Sequence, residues 1–435
     1  MKRMIRKCLM WTLAAVVPLV LCGCLSDATM DDFFALPQPP IEYTDLSETI
    51  HELLASGYEY ASPTAGQNIQ SVQIVDLDWD GRSEAVAFFR NPADEKPLKI
   101  MIFRSLDGAY KPVVTIESSG TAIERVEYRD MNNDGKRELV VGWKIGPNVQ
   151  NVAVYAVGYE QTMLMQSNYT RYAIQEMDGD GIPSLMVLRA DAEGTSVAEF
   201  YGWRSEAMNL VYRCALSNTM AALSRGSVVS GKLDENTPAV FVTGVNEAGL
   251  AVTDILACRE NGTLTNAAIS SVTGLSALIY PYRQLQPQDI DGDGCLEIPA
   301  PELTPEAGKP LDGQVNWMRC SIDGQISRAM TTYHCQSAGW YLQVPESWVG
   351  RLITRPSDTV LNENQVLLHV DGKTVAAVYT ITGENRESRA MQGQRTVLRR
   401  RTDMVYAGEV MANDLGFDAE QLRSSFRLII SSWAG

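Results

Sequence analysis

Five stretches of this chain align on one pattern. Acidic residues alternate with others, a glycine follows, and a further acidic residue comes three places on. They read DLDWDGRSE from Asp76, DMNNDGKRE from Asp130, EMDGDGIPS from Glu176, GKLDENTPA from Gly231 and DIDGDGCLE from Asp289. Their starts lie 54, 46, 55 and 58 residues apart. A period of that length marks an array of supersecondary units, each of which buries its faces only against its neighbours. Between the loops run period-2 apolar segments such as SVQIV, EAVAFF, ELVVGW and VAVYAV, with Asp, Asn and Gly at the turns. That is the signature of strands, and no helical period interrupts it from about residue 65 to residue 335. The expectation is a mainly β chain: a β-propeller of about five four-stranded blades, followed by a small α/β domain.

The loops have a chemical reason for their spacing. Calcium takes six to eight hard oxygen ligands. Side chains at loop positions 1, 3 and 5 converge when the backbone curls, glycine at position 6 permits the sharp turn, position 7 offers a carbonyl, and a carboxylate at position 9 closes the shell. An EF-hand needs a glutamate at position 12 between two helices. Here position 12 is Ala87, Val141 or Ala300, and the flanks are strand-like, which excludes it. The first site is then Asp76, Asp78, Asp80, the carbonyl of Arg82, and Glu84. The second is Asp130, Asn132, Asp134, the carbonyl of Lys136, and Glu138. The last is Asp289, Asp291, Asp293, the carbonyl of Cys295, and Glu297. The third has Glu176, Asp178 and Asp180 but Ser184 at position 9, and stays open between an ion site and a solvated turn. The fourth has lost its ligands, and Asn236 stands where the glycine would be. Magnesium is disfavoured because it keeps its waters in tight octahedral geometry, and zinc because it prefers His and Cys.

These loops resemble the FG-GAP/VCBS repeats of integrin-α-type propellers, in which such a loop joins the first two strands of a blade. The resemblance covers roughly residues 65–335. The Phe-Gly and Gly-Ala-Pro signatures of that family are not evident. The tail, opening WYLQVPESW from Trp340, is similar to the α/β sandwich of the extrinsic photosystem subunit family. The combination resembles propeller lipoproteins of Gram-positive bacteria, which implies a calcium-binding module outside the cell.

The remaining segments fit that reading. Lys2, Arg3, Arg6 and Lys7 precede an apolar stretch ending in LCGC, which resembles a lipobox with Cys24 as the lipidated residue; a plain signal peptide or a retained anchor is the alternative. The expected divisions are 1–23 signal, 24–41 linker, 42–62 helix and lead-in, 63–337 propeller and 338–435 tail. In the lead-in, Asp45 and Glu48 have capping-box spacing and Gly57 stops the helix. In the tail, strand-like stretches span 366–370, 375–381, 395–401 and 404–411. A helix then begins at Asp418, with Gln421 completing a capping box and Leu422, Phe426, Ile429 and Ile430 as its buried face. The cysteines after Cys24 are five, an odd number without a framework, and read as free thiols.

A formal charge of −16 argues against nucleic acid as a partner, and eleven carboxylates of the three complete loops supply much of it. No catalytic motif stands out. HELLA at His51 lacks the second histidine of a metalloprotease helix. The expectation is therefore a monomeric, lipid-anchored binding or scaffold module for a protein or glycan, not an enzyme. A secreted carbohydrate- or peptide-processing enzyme and an accessory subunit of an envelope complex are the alternatives.

Overall fold

The computed structural model describes residues 43–158, 160–177, 179–282, 284–303, 310–412 and 416–429. The expected signal, Cys24 and the linker lie outside the described residues.

The chain is mainly β and lays down antiparallel sheets in order. The first comprises Val72–Val75, Glu84–Arg90, Leu98–Leu106 and Ala109–Ser118, with Glu59–Tyr60 continuing its edge. The second runs Ala122–Arg129, Glu138–Lys144, Gln150–Val157, Gln161–Tyr169, and the third Arg171–Gln175, Ser184–Ala190, Ser196–Arg204, Ala207–Ala215. The fourth is Ser227–Asp234, Thr237–Val245, Leu250–Cys258 and Leu264–Asn266, with Ile279–Pro281 also on its third strand. The fifth starts from a single bridge, Gln288 to Glu297, and continues as Ile298–Leu303, Pro310–Cys320 and Ile326–Cys335.

The second strands read as unbroken apolar runs because both their faces are buried. In EAVAFFR, Val86 and Phe88 face the second sheet, sharing a core with Ile123, Leu139 and Val141. Ala85, Ala87 and Phe89 point the other way, onto Leu46 and Ile50 of the helix Thr44–Ala55. The same interleaving joins the second sheet to the third through Val140, Val152, Leu185 and Val187. It joins the third to the fourth through Met186, Phe200, Val240 and Val242, and the fourth to the fifth through Phe241, Ile255, Ile298 and Cys320. Each Val, Leu, Ile, Phe or Met among these, fully buried, contributes about 1.5–3 kcal/mol. Among the described residues no apolar cluster joins the first sheet to the fifth; the lead-in helix covers one end of the stack and the tail covers the other.

The expected boundary at 337/338 falls inside the fifth sheet. Trp340–Val344 pairs with Ile326–Cys335, and Phe426–Leu428, from near the end of the chain, pairs with it in turn. The sixth sheet is ordered Leu352–Val360, Glu363–Val370, Lys373–Thr382, Met404–Val410, Thr396–Arg400. Its first strand lies outside the sequence expectation because Arg355, Pro356, Ser357 and Asp358 hide its alternation; Pro356 is tolerated on an edge strand.

Helix ends correct the reading in detail. The capping box of Asp418 and Gln421 forms and Leu422 is buried, but the helix is only Ala419–Ser425. Phe426 is buried as part of a strand, Ile429 follows that strand, and Ile430 lies outside the described residues. Asp45 sits in the first turn of the lead-in helix, whose N-cap is Tyr43, with no side-chain cap bond. The span read as free of helix contains one helical turn, Met220–Leu223. The five described cysteines are free thiols.

Two buried polar groups give measurable consequences. Asp254 is 0% exposed and accepts from the N–H groups of Ser217 (3.0 Å) and Asn218 (3.2 Å) and from the side-chain amides of Asn218 (2.9 Å) and Asn266 (2.7 Å). Asp254→Ala strands these donors, so denaturant unfolding is expected to register a loss of about 3 kcal/mol; a loss below about 0.5 kcal/mol would contradict this network.

His334 is buried, stacked on Tyr341 at 5.0 Å and hydrogen-bonded through Nε2 with Thr332 Oγ1 at 2.9 Å. Burial pushes its pKa down to about 4. The folded state therefore prefers the neutral ring. Stability is unaffected above the ordinary histidine value, and falls as the pH drops from there to about 4, by about 3 kcal/mol in all. His334→Gln is expected to flatten the stability profile between pH 6.5 and 4 by about that amount; parallel profiles would refute the assignment.

Candidate metal centre

Four of the five loops, all but the one from Gly231, occupy equivalent places. Position 9 pairs with the residue just before position 1: Val75 with Glu84, Arg129 with Glu138, Gln175 with Ser184 and Gln288 with Glu297. Positions 4 and 6 both take positive φ in every intact loop, at Trp79 and Gly81, Asn133 and Gly135, Gly179 and Gly181, Gly292 and Gly294. The fourth loop differs. It is a tight hairpin closing Asp234 on Thr237, and Asn236 is not among the positive-φ residues, so it does not replace the glycine as expected.

Internal hydrogen bonds repeat as well. The position 6 glycine donates to the position 1 carboxylate: Gly81 to Asp76 (3.2 Å), Gly135 to Asp130 (3.0 Å), Gly294 to Asp289 (2.9 Å). The N–H groups of Arg82, Lys136, Ile182 and Cys295 at position 7 donate to Asp80, Asp134, Asp180 and Asp293 at position 5 (2.7–2.8 Å). The N–H at position 2 donates to the closing glutamate: Leu77 to Glu84 (2.8 Å), Met131 to Glu138 (2.7 Å), Ile290 to Glu297 (3.2 Å). Leu77, Met131 and Met177 at position 2 are buried in the cores between sheets and so anchor their loops.

Neighbouring loops touch. The position 8 N–H of Arg137 donates to Leu77 O at 2.7 Å, and that of Leu296 to Lys232 O at 2.9 Å. Arg137 also lies over the Trp79 ring, 4.4 Å from its centroid. Pro183 and Pro238 hold position 8 of the third and fourth loops and have no N–H to give.

Two acidic clusters, Asp76–Asp78–Glu84 and Asp289–Asp291–Glu297, bring ligand atoms within 4.8 Å of one another and could hold a metal ion. In the first, Asp76 Oδ1 and Asp78 Oδ1 are buried and make no hydrogen bond; in the second loop the same is true of Asp130 Oδ1. Such oxygens are costly unless something positive meets them. Asn132 Nδ2 donates to Glu138 Oε1 at 3.2 Å, and Asp134 N to Asn132 Oδ1 at 2.9 Å. Burial raises the pKa of Glu84, and pushes that of Glu138 up to about 7, with Asp134 and Asp130 adding to the rise.

Of the third loop, Asp178 lies outside the described residues, Asp180 is ion-paired with Arg204 at 2.9 Å, and Ser184 leaves position 9 without a carboxylate. His51 is exposed on its helix, bonded to Ser47 O. Trp143 and Trp317 are buried packing residues.

The sequence reading missed the arginines. Sheet register sets the third-strand residue opposite each closing position: Arg104 faces Glu84 and Arg319 faces Glu297, whereas Ala156 faces Glu138. Arg104 stands 3.6 Å from Glu84 and 3.8 Å from Asp78. Arg319 reaches Glu297 at 2.8 Å and Asp291 at 2.6 Å, and also pairs with Asp293. The available signal was an arginine near the end of the third strand in the units carrying four loop carboxylates.

No family model matches the chain, and no curated protein matches it. Among solved structures, an exo-β-1,3-galactanase from Phanerochaete chrysosporium, crystallised with β-1,3-galactotriose, aligns at TM-score 0.26 and 11% identity over 78% of this chain and 82% of that one. A hypothetical protein from Leishmania major aligns at 0.23 and 11% over 65% and 92%, and a levansucrase variant from B. subtilis at 0.19 and 10% over 67% and 85%. None of these likenesses is close enough to carry an argument about this chain.

Proposed function

We propose that this chain is a calcium-stabilised binding module, its five sheets acting as propeller-like blades in an open stack whose ends the lead-in helix and the tail cover, held by a lipid on Cys24 at the extracytoplasmic face of a membrane. The observation that carries the calcium reading is the set of buried carboxylate oxygens without a donor, Asp76 Oδ1, Asp78 Oδ1 and Asp130 Oδ1, aimed into loops of hard-oxygen spacing. Asp76, Asp78, Asp80, Glu84 and the carbonyl of Arg82 would hold one ion. Asp130, Asn132, Asp134, Glu138 and the carbonyl of Lys136 would hold another. Calcium supplies the positive charge that these carboxylates lack and ties position 9 to positions 1, 3 and 5. The acidic residues are thereby engaged in holding the blades, which favours a binding or scaffold role over catalysis. The partner class is a protein or glycan met outside the cell. The test is the thermal unfolding midpoint of the chain in calcium and in excess chelator. Equal midpoints would overturn the reading.

A further inference from the structure

The fifth loop carries four carboxylates, as many as the first, yet its geometry differs from the other two. All of its carboxylate oxygens already have donors. Asp289 accepts from Gly292 (2.6 Å), Asp293 (3.1 Å) and Gly294 (2.9 Å). Asp291 Oδ1 accepts from Asp293 N (3.3 Å), Asp293 Oδ1 from Cys295 N (2.8 Å) and Glu297 Oε2 from Ile290 N (3.2 Å). The three oxygens that remain, on Asp291, Asp293 and Glu297, all receive Arg319. Those residues are positions 3, 5 and 9, the ones a cation would need.

We propose that Arg319 is the resident cation of the fifth loop, and that its guanidinium stands where the other loops take a metal ion. Guanidinium suits the task. It is charged at every relevant pH and presents a rigid fork of donors that can serve several carboxylates at once. The loops also balance their charge accordingly. The fifth has aspartate at position 3 and arginine opposite position 9. The second has Asn132 at position 3, one negative charge fewer, and Ala156 opposite. In each, one N–H group meets Oε1 of the closing glutamate, from Arg319 in the fifth and from Asn132 in the second. The first loop is intermediate. Arg104 balances charge from 3.6–3.8 Å but leaves Asp76 and Asp78 each with an oxygen unmet. A divalent ion entering the fifth loop would have to displace the guanidinium from three carboxylates.

This inference deepens the calcium reading above and rests on the same loop geometry, but its test does not depend on the first two loops. Calcium bound per chain is counted by equilibrium dialysis for the full chain and for Arg319→Gln. The variant is expected to bind one ion more than the unaltered chain. In chelator it is expected to unfold at a lower temperature, with calcium restoring the difference. An equal ion count in the two proteins overturns the proposal. If Arg319→Gln fails to fold, Asp291→Ala, which removes the position 3 oxygen altogether, decides in the otherwise unaltered chain. An unchanged ion count supports arginine as resident, and loss of one ion overturns it. An unaltered chain that binds no calcium, beside a variant that binds one, would refute the calcium reading of the first two loops and uphold the role of Arg319.

Discussion

In excess chelator the unfolding midpoint of this protein is expected to fall by roughly 5 °C relative to saturating calcium. The magnitude follows from linkage. An ion that binds the folded chain and not the unfolded one stabilises by about 2.7 kcal/mol when it is present at a hundred times its dissociation constant. The first and second loops together give roughly 5 kcal/mol, and at about 2.1 cal/mol/K of unfolding entropy per residue a chain of 435 residues moves its midpoint by roughly 1 °C per kcal/mol. Circular dichroism during a temperature ramp reads it directly. Asp130→Ala should shrink the calcium response by about half, because it removes the position 1 ligand of the loop with no facing arginine. Midpoints that coincide to within about 1 °C would show that the loops stand without an ion.

Cutting the chain after Ser337 is expected to destroy its solubility. The cut removes Trp340–Val344 and Phe426–Leu428, so the strand Ile326–Cys335 becomes an open edge. It also strips the cover from Tyr333, which packs with Trp340, Leu342 and Phe426. An unpaired, partly apolar edge pairs with other chains. The truncated protein is expected to aggregate on expression, while a chain spanning residues 43–429 stays soluble. A soluble, monodisperse 43–337 chain that melts within a few degrees of the longer one would restore the boundary read from sequence.

The loops were legible because a cation site built on one stretch of backbone fixes its own spacing. Register then guaranteed that Glu84, Glu138 and Glu297 would close the loops as their strands began. Stacked sheets were legible too, since EAVAFF and ELVVGW are apolar on both faces. What escaped depends on partners distant along the chain. Arg104 and Arg319 meet their glutamates only through third-strand register, twenty or more residues away. Phe426 reads as the second residue of a helical stripe, after Leu422, and is instead drawn into the fifth sheet, where Trp340 and Leu342 bury it. Asp45 had capping chemistry two residues too late, and the helix starts without it. At Asn236 the lost ligands removed the reason for a left-handed turn, and a plain hairpin took its place.

The contacts between loops have a mechanical consequence. Arg137 and Leu296 lace their sheets to the preceding ones through the backbone, while Pro183 and Pro238 have no amide with which to do the same. The seams from first to second sheet and from fourth to fifth are therefore doubly fastened, by packing and by hydrogen bond. The two seams that flank the third sheet lack this fastening. Under a pulling force those two seams are expected to part first, so that the centre of the body yields while the cation loops at either side keep their geometry.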